Sequence, residues 1–311
     1  MANSVITNSG AKVALQSLNK INEQLDTTQK KVSTGYKVSD AKDDGAAYAV
    51  AQKVRADVSG LNSANDQLGG VNGLLTSTLK AVDTVSTTLV NDVSTVLTKL
   101  SDANLDEETR NQYTEQFKSL VTRMNTTLQD ASYNGTRLLG STATDPLTGA
   151  AFEGGSMEVT RNEKGQSYTV NSTATSADNL SFTDDIATDI TGITTMSADE
   201  AKQLLQGVDN TGAAVTSVTV GGVALKTFTQ LSSDVNTTSN ALGNDSKFIS
   251  SQLTYNSARI DAMEEGLGSL VDADLAKESA RLTALQTQQQ LATTSLSTAN
   301  SAPEVLLSLF R

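Results

Sequence analysis

The chain has 311 residues, 35 acidic against 23 basic side chains, a formal net charge of −12, two Pro, and no His, Cys or Trp. Without His or Cys there is no imidazole base, thiol nucleophile, thiolate or imidazole metal ligand, or disulfide. An acidic chain of this kind offers phosphate backbones no electrostatic footprint, so nucleic acid is not an expected partner.

From Ala11 the apolar residues recur at three- and four-residue spacing through Ala14, Leu18, Ile21, Leu25, Thr28 and Val32. This is a heptad seam with one polar position. Gly35 after Ser33-Thr34 suits a left-handed cap. Asp40 to Gly45 reads as a polar turn, and a second helix is expected from about Ala46 to Leu100, weakened at Gly69-Gly70. Acidic residues after Asn104-Leu105 suit another helix start. That helix carries Tyr113, Phe117, Leu120, Met124 and Leu128 on one face and is expected to end at Tyr133-Asn134-Gly135, Asn-Gly being a turn signal.

Between about Gly140 and Gly222 the helical period disappears and Gly, Thr, Ser and Asp become dense. The alternating runs Ser156–Thr160 and Val215–Val220 read as strands, and Ser197 as the N-cap of a short helix through Leu205. Helical patterning returns at about Leu225 and runs past Ile260, with a weak stretch from Glu264 to Gly268. A last helix shows Val271, Leu275, Leu282, Leu285, Ala292, Leu296 and Ala299, with Glu278 and Gln289 polar on the same seam. Pro303 marks a start or kink before the apolar end Leu306, Leu307, Leu309 and Phe310.

The fold class expected is mainly α: a long coiled-coil hairpin formed by both termini, with a small α+β or β-rich middle domain. The expected division is residues 1–44 and 269–311 as coiled-coil segments, 45–139 and 225–268 as helical shells, and 140–224 as a surface-exposed α+β domain. A single amphipathic helix is marginal in water, so each end needs the other. A two-helix hairpin still leaves apolar flanks exposed, and burying them takes further copies of the chain. The candidate self-assembly residues are therefore Leu18, Ile21, Leu25, Val32, Leu282, Leu285, Leu296, Leu306, Leu307, Leu309 and Phe310.

Five ordered blocks carry a resemblance. The segment Ala41-Lys42-Asp43-Asp44-Gly45-Ala46-Ala47-Tyr48 and its continuation to Leu61 resemble the signature that follows the first helix of bacterial flagellins, the subunits of the flagellar filament. Ser33-Thr34-Gly35-Tyr36-Lys37-Val38, Tyr133-Asn134-Gly135-Thr136-Arg137-Leu138-Leu139 and Asp272-Ala273-Asp274-Leu275-Ala276 are similar to further blocks of that family, as is the ending Ala302 to Arg311. The match covers roughly 1–140 and 245–311, and the short length resembles the alphaproteobacterial type. The resemblance implies a homopolymeric filament for swimming, whose termini line the filament core while the middle faces outward. It further implies type III flagellar export without a cleaved signal peptide, an extracellular location, and an export chaperone with hook-associated and cap proteins as partners. It implies no enzyme activity, cofactor or membrane insertion. A hook–filament junction protein and a secreted coiled-coil adhesin are the alternatives. The sequence departs from the family at Leu89 to Val96, where the two Arg read by the flagellin-sensing toll-like receptor are missing, and around Met263 to Gly268.

Other motifs read more plainly. The start Met1 to Gly10 lacks the basic and apolar regions of a secretory signal peptide. Asp43-Asp44 reads as a solvated turn that favours the following helix rather than a paired-carboxylate site. Asp209-Asn210-Thr211-Gly212 lacks most ligands of a calcium loop and reads as a turn. Asn125-Thr126-Thr127 and Asn171-Ser172-Thr173 match the acceptor pattern for N-linked sugar.

Overall fold

The computed structural model describes residues 8–141, 154–171, 176–183, 186 and 188–308, with side chains up to residue 301. The elements run α1 (Ser9–Thr34), α2 (Gly45–Thr88), a π-helical turn (Leu89–Val93), α3 (Ser94–Leu100) and α4 (Glu107–Gln129). Then come β1 (Met157–Thr160), β2 (Ser167–Val170), a 3₁₀ turn (Ala177–Leu180), α5 (Ala198–Gln206), β3 (Ser217–Val220), β4 (Val223–Lys226), α6 (Phe228–Val271) and α7 (Leu275–Ser308). The strands form two separate antiparallel hairpins, β1 with β2 and β3 with β4. The mainly helical architecture with long terminal helices and a small mixed middle matches the sequence reading. The chain divides into two compact units, Met1–Ser59 with Arg259–Arg311, and Gly60–Ala258.

The first unit is thin. Helices α1 and α7 run antiparallel: Asn8 donates to the Ala299 carbonyl at 2.7 Å, and Gln289 donates to Asn22 Oδ1 at 2.8 Å. Along this seam, among the described side chains, only Leu25, Thr28 and Leu285 are buried. A small second cluster, Val38, Ala51 and Val271, sits near the bend with Ala47, Tyr48 and Leu267 against it. Helix α1 ends as expected, with Gly35 at φ 76° donating its N–H to the Lys31 carbonyl. Glycine adopts that conformation without a Cβ clash.

The second unit is thick. One apolar cluster joins α2, α3, α4 and α6 to the middle segment, with Phe117, Phe182, Leu138, Ile193, Leu204, Val220 and Leu242 all inaccessible to solvent. Phe117 and Phe182 meet edge to face at 5.4 Å between ring centres. The change of texture near residue 140 therefore does not interrupt this core. Two Arg close helix ends: Arg110 donates to the carbonyls of Leu100 and Asp102, and Arg137 to that of Gln129. Such partners satisfy carbonyls that a helix leaves unpaired. Helix α5 begins with a full capping box between Ser197 and Glu200.

Several expectations change. Helix α2 passes Gly69-Gly70 unbroken and widens only at Leu89–Val93, where the Ser94 N–H reaches the Leu89 carbonyl. Helix α6 likewise continues through Glu264 to Gly268, and α7 continues past Pro303 to Ser308. Flanking apolar contacts and long helical context outweigh the propensity cost of about 1 kcal/mol for each Gly. Helix α4 stops at Gln129, before the Asn-Gly turn, because Asp130 to Ser132 leave the helix and Tyr133 to Thr136 form their own tight turn.

Candidate self-assembly surface and signature bend

The family-like blocks lie at the two ends of the sequence, and the fold brings several of them to one bend. The Lys37 N–H donates to the Val271 carbonyl at 2.8 Å, and the Ala273 N–H to the Gly35 carbonyl at 2.8 Å. Tyr36 and Asp272 form an isolated antiparallel bridge, and Lys37 Nζ donates to the Ser269 carbonyl at 2.8 Å. Arg55 lies over the Tyr36 ring at 5.8 Å, a cation–π distance.

The acidic residues of these blocks are helix and loop caps. Asp44 Oδ1 accepts from the N–H groups of Ala46 and Ala47 at 3.0 Å each, starting α2. Asp274 Oδ1 accepts from Ala276 and Lys277 at 3.1 Å each, starting α7. Carboxylates there satisfy orphan donors and complement the helix dipole. Asp43 does something the sequence reading did not anticipate. It turns back, accepting from the Ser39 N–H and Oγ at 3.0 Å each and from Lys30 Nζ at 3.0 Å. These hydrogen bonds, the Ser39 backbone donor first, hold its carboxyl well below the usual aspartate range. Asp40 is also lowered, chiefly by Lys30 at 2.7 Å, and Lys30 is raised by the same pair. Ala41 and Lys42 are exposed, with the Lys42 N–H donating to Asp40 Oδ1.

The expected seam residues fall in one place. Leu18, Ile21 and Val32 are half-buried and Leu25 buried on α1; Leu282 and Leu296 are half-buried and Leu285 buried on α7. They face the intramolecular α1–α7 pairing. Leu275, read as a seam residue, is instead 49% exposed, because it begins the helix directly after the Asp274 cap. Leu306 and Leu307 belong to the last turns of α7, and Leu309 and Phe310 lie outside the described residues.

Apolar side chains also point away from the seam, outside the set expected from the sequence. Val13 is 64% exposed, Leu15 49% and Leu291 63%, all on α1 or α7. Their off-seam heptad positions are the signal that would have found them, since a hairpin with one seam has no intramolecular use for a second apolar face.

Both N-glycosylation matches carry a buried Asn. Asn125 donates to the Ile186 carbonyl at 3.0 Å and accepts from Ser181 Oγ, while Asn171 donates to the Leu138 carbonyl at 2.9 Å. The amide nitrogens that would carry sugar are held inside the core. Asp209 makes a plain turn, with one oxygen accepting from Thr211 and Ala213 at 2.7 to 2.9 Å and Gly212 at φ 83°. In the stretch Leu89 to Val96, Asp92 pairs at 3.1 Å with Arg123, supplied by α4. Among the described residues no helix is long and apolar enough to cross a membrane.

Comparison with known proteins gives two family matches. The bacterial flagellin N-terminal helical region matches residues 5–144, and the bacterial flagellin C-terminal helical region matches residues 225–310. A flagellin of Brucella melitensis is 32% identical over 310 residues, covering 99% of each chain. Flagellin FljK of Caulobacter vibrioides is 33% identical over 309 residues, again covering 99% of both. Flagellin C of Rhizobium meliloti is 30% identical over 327 residues, with 99% of both covered. All three organisms are alphaproteobacteria.

Proposed function

Since the chain belongs to the bacterial flagellin family, and so is a structural subunit of the flagellar filament, we propose that the unit built from α1 and α7 carries its polymer contacts. The observation that carries this reading is that both helices expose apolar side chains beside the seam. The seam meets the partner helix within the chain, while Val13, Leu15 and Leu291, off the seam, stand in solvent. Two helices of 26 and 34 residues have an ordering cost of about 1–2 kcal/mol per residue. Each fully buried Leu along the seam returns only about 1.5–3 kcal/mol. Further burial against other copies supplies the difference, so assembly and ordering of this unit are coupled.

In this reading Leu18, Ile21, Leu25, Val32, Leu282, Leu285 and Leu296 hold the hairpin in its assembling form. Leu306, Leu307, Leu309 and Phe310 extend the contact at the chain end. The division into terminal coiled-coil segments 1–44 and 269–311, shells 45–139 and 225–268, and an outward region 140–224 follows the same scheme. The chain has no catalytic role. It is exported through the flagellar type III apparatus with a flagellin chaperone, works outside the cell, and meets hook-associated and cap proteins at the filament ends. This support comes from family membership and from the exposed flanks of the terminal helices.

Seeded growth followed by electron microscopy tests the proposal. The full chain grows long helical filaments from short seeds, and a chain ending before Glu304 does not. Normal filaments from the truncated chain would remove the chain end from the interface. Normal filaments from a triple variant of Val13, Leu15 and Leu291 to Gln would remove the flanks.

A further inference from the structure

The acidic chain holds a basic groove in its thinnest part. Between α1 and α7 lies a groove of about 290 Å³ lined by Lys20, Lys31 and Arg281, with Glu23 as the carboxylate in its lining. Lys20 and Arg281 are exposed and Lys31 half-buried. None of the three takes part in an ion pair among the described residues, whereas Lys30, next to Lys31, is held by Asp40 and Asp43. The groove is therefore a concentration of unspent positive charge on a molecule of net charge −12.

Within the same unit, on the last part of α6, the opposite charge is displayed. Asp261, Glu264 and Glu265 stand at i, i+3 and i+4, which places them on one helix face. All three are exposed and none makes an ion pair among the described residues. Along the chain this face precedes the bend at Asp272, and the groove residue Arg281 follows it. The two patches are different surfaces of one molecule, so a contact between them in neighbouring copies is heterologous. A heterologous contact that does not close extends into a polymer.

We propose that the Lys20–Lys31–Arg281 groove docks the Asp261–Glu264–Glu265 face of a second copy of this chain, and that this ionic contact sets the direction and rate of subunit addition. The inference rests on the filament reading and deepens it by naming a charged contact beside the apolar ones. Complementary charge acts mainly on encounter: it raises association rates by tenfold or more and fades as salt shortens the Debye length from about 10 Å at 0.1 M to about 3 Å at 1 M. Apolar flanks alone have no such salt dependence, because hydrophobic burial is non-directional and is strengthened by excluded salts.

The test uses the full chain, self-seeded, with filament elongation followed by light scattering at 0.05 and 0.5 M sodium chloride. Lys20→Glu with Arg281→Glu slows elongation at low salt at least tenfold, and Glu264→Lys with Glu265→Lys does the same. The chain carrying all four changes recovers most of the rate, since the four reversed charges again face opposite charges across the contact. That recovery separates a broken contact from a misfolded helix. The contact does not exist if either double variant elongates at the wild-type rate at low salt, or if the fourfold variant is no faster than the doubles. A groove that serves a soluble polyanion instead appears as wild-type elongation in the groove variant together with lost binding of inorganic tripolyphosphate. Failure of the unaltered chain to elongate from its own seeds overturns the filament reading itself, which keeps the two failures apart.

Discussion

The two units of this chain solve the same problem with different means. In Gly60–Ala258, aromatic and branched side chains from helices and hairpins close around one another, and Phe117, Phe182, Leu225 and Ile249 see no solvent. In Met1–Ser59 with Arg259–Arg311, long helices touch along a narrow line and much of each remains wet, including apolar Val13 and Leu291. The first kind of packing stabilises a monomer. The second fits the role proposed for this unit, in which other copies cover more of its surface. The difference teaches that burial per residue, rather than helix content, separates a part that stands alone from one that waits for neighbours.

The largest break expected in this contrast is Phe117→Ala. Removing a fully buried ring that abuts Phe182 costs about 3–5 kcal/mol. Denaturant unfolding of the monomer followed by circular dichroism reads that loss; a loss under 1 kcal/mol would mean the core of the second unit is looser than described. Next is the buried tie between β2 and α6, where Asp245 accepts from Tyr168 Oη and from the Asn171 N–H, both at 2.6 Å. Asp245→Ala removes the shared acceptor of both donors and lowers stability by about 1.5–3 kcal/mol in the same measurement.

That tie also predicts a pH dependence. Burial first, and then the hydrogen bond to Asp245, push the Tyr168 phenol up to about 12. A pKa raised in the folded state stabilises fully below the unfolded value near 10 and is lost as pH rises through 12. Stability therefore falls by about 2 kcal/mol between pH 10 and 12, and Tyr168→Phe removes this slope. A slope unchanged in the Phe variant would assign it to another group.

In the thin unit the effects move from the monomer to the polymer. Leu25→Ala shifts monomer unfolding by less than about 1 kcal/mol, because the seam contributes little to a unit that is marginal alone. It raises the critical concentration for filament growth by tenfold or more, the equivalent of about 1.4 kcal/mol. Equal effects on monomer and filament would erase the distinction between the units. The smallest change is Asp43→Asn at the bend. Amide exchange at Ser39 and Asp40 quickens while global unfolding stays the same. Because the Asp43 carboxyl is held below the ordinary aspartate range, its contribution is present above pH 4 and is lost only as pH falls further. In the unaltered chain the protection of these amides therefore persists below pH 4.

Much of this was legible in the residues. The three- and four-residue spacing located α1, α4 and α7, Gly35 marked the end of α1, Ser197 the start of α5, and Asn134-Gly135 a turn beyond α4. The seam residues Leu25, Thr28 and Leu285 were readable because a period of 3.5 places them on one line. Continuity through Gly69-Gly70 was not readable, since the helix propensity of Gly is a weak term that a long packed helix overrides. The burial of Asn125 and Asn171 was equally hidden: a short acceptor pattern carries no information on which carbonyls its amide will meet.

The candidate surface divides along similar lines. Asp44 as a cap followed from its place before a helix, but Asp43 folding back to Ser39 and Lys30 depends on a bend between two helices. Val13, Leu15 and Leu291 were readable as off-seam positions, but their exposure of 64%, 49% and 63% follows from the α1–α7 pairing that occupies the seam.

By itself, then, the sequence determined that the ends are helical, that each needs a partner, and that both match one family of filament subunits. These rest on periodicity and local motif, which act over a few turns of chain. Only the tertiary structure decided that the middle segment shares a core with α2 to α4 and α6, that signature blocks from opposite ends meet at one bend, and that a basic groove opens between α1 and α7. Each of those depends on residues distant in sequence approaching within a few ångströms, a balance of burial against chain entropy that no local pattern encodes.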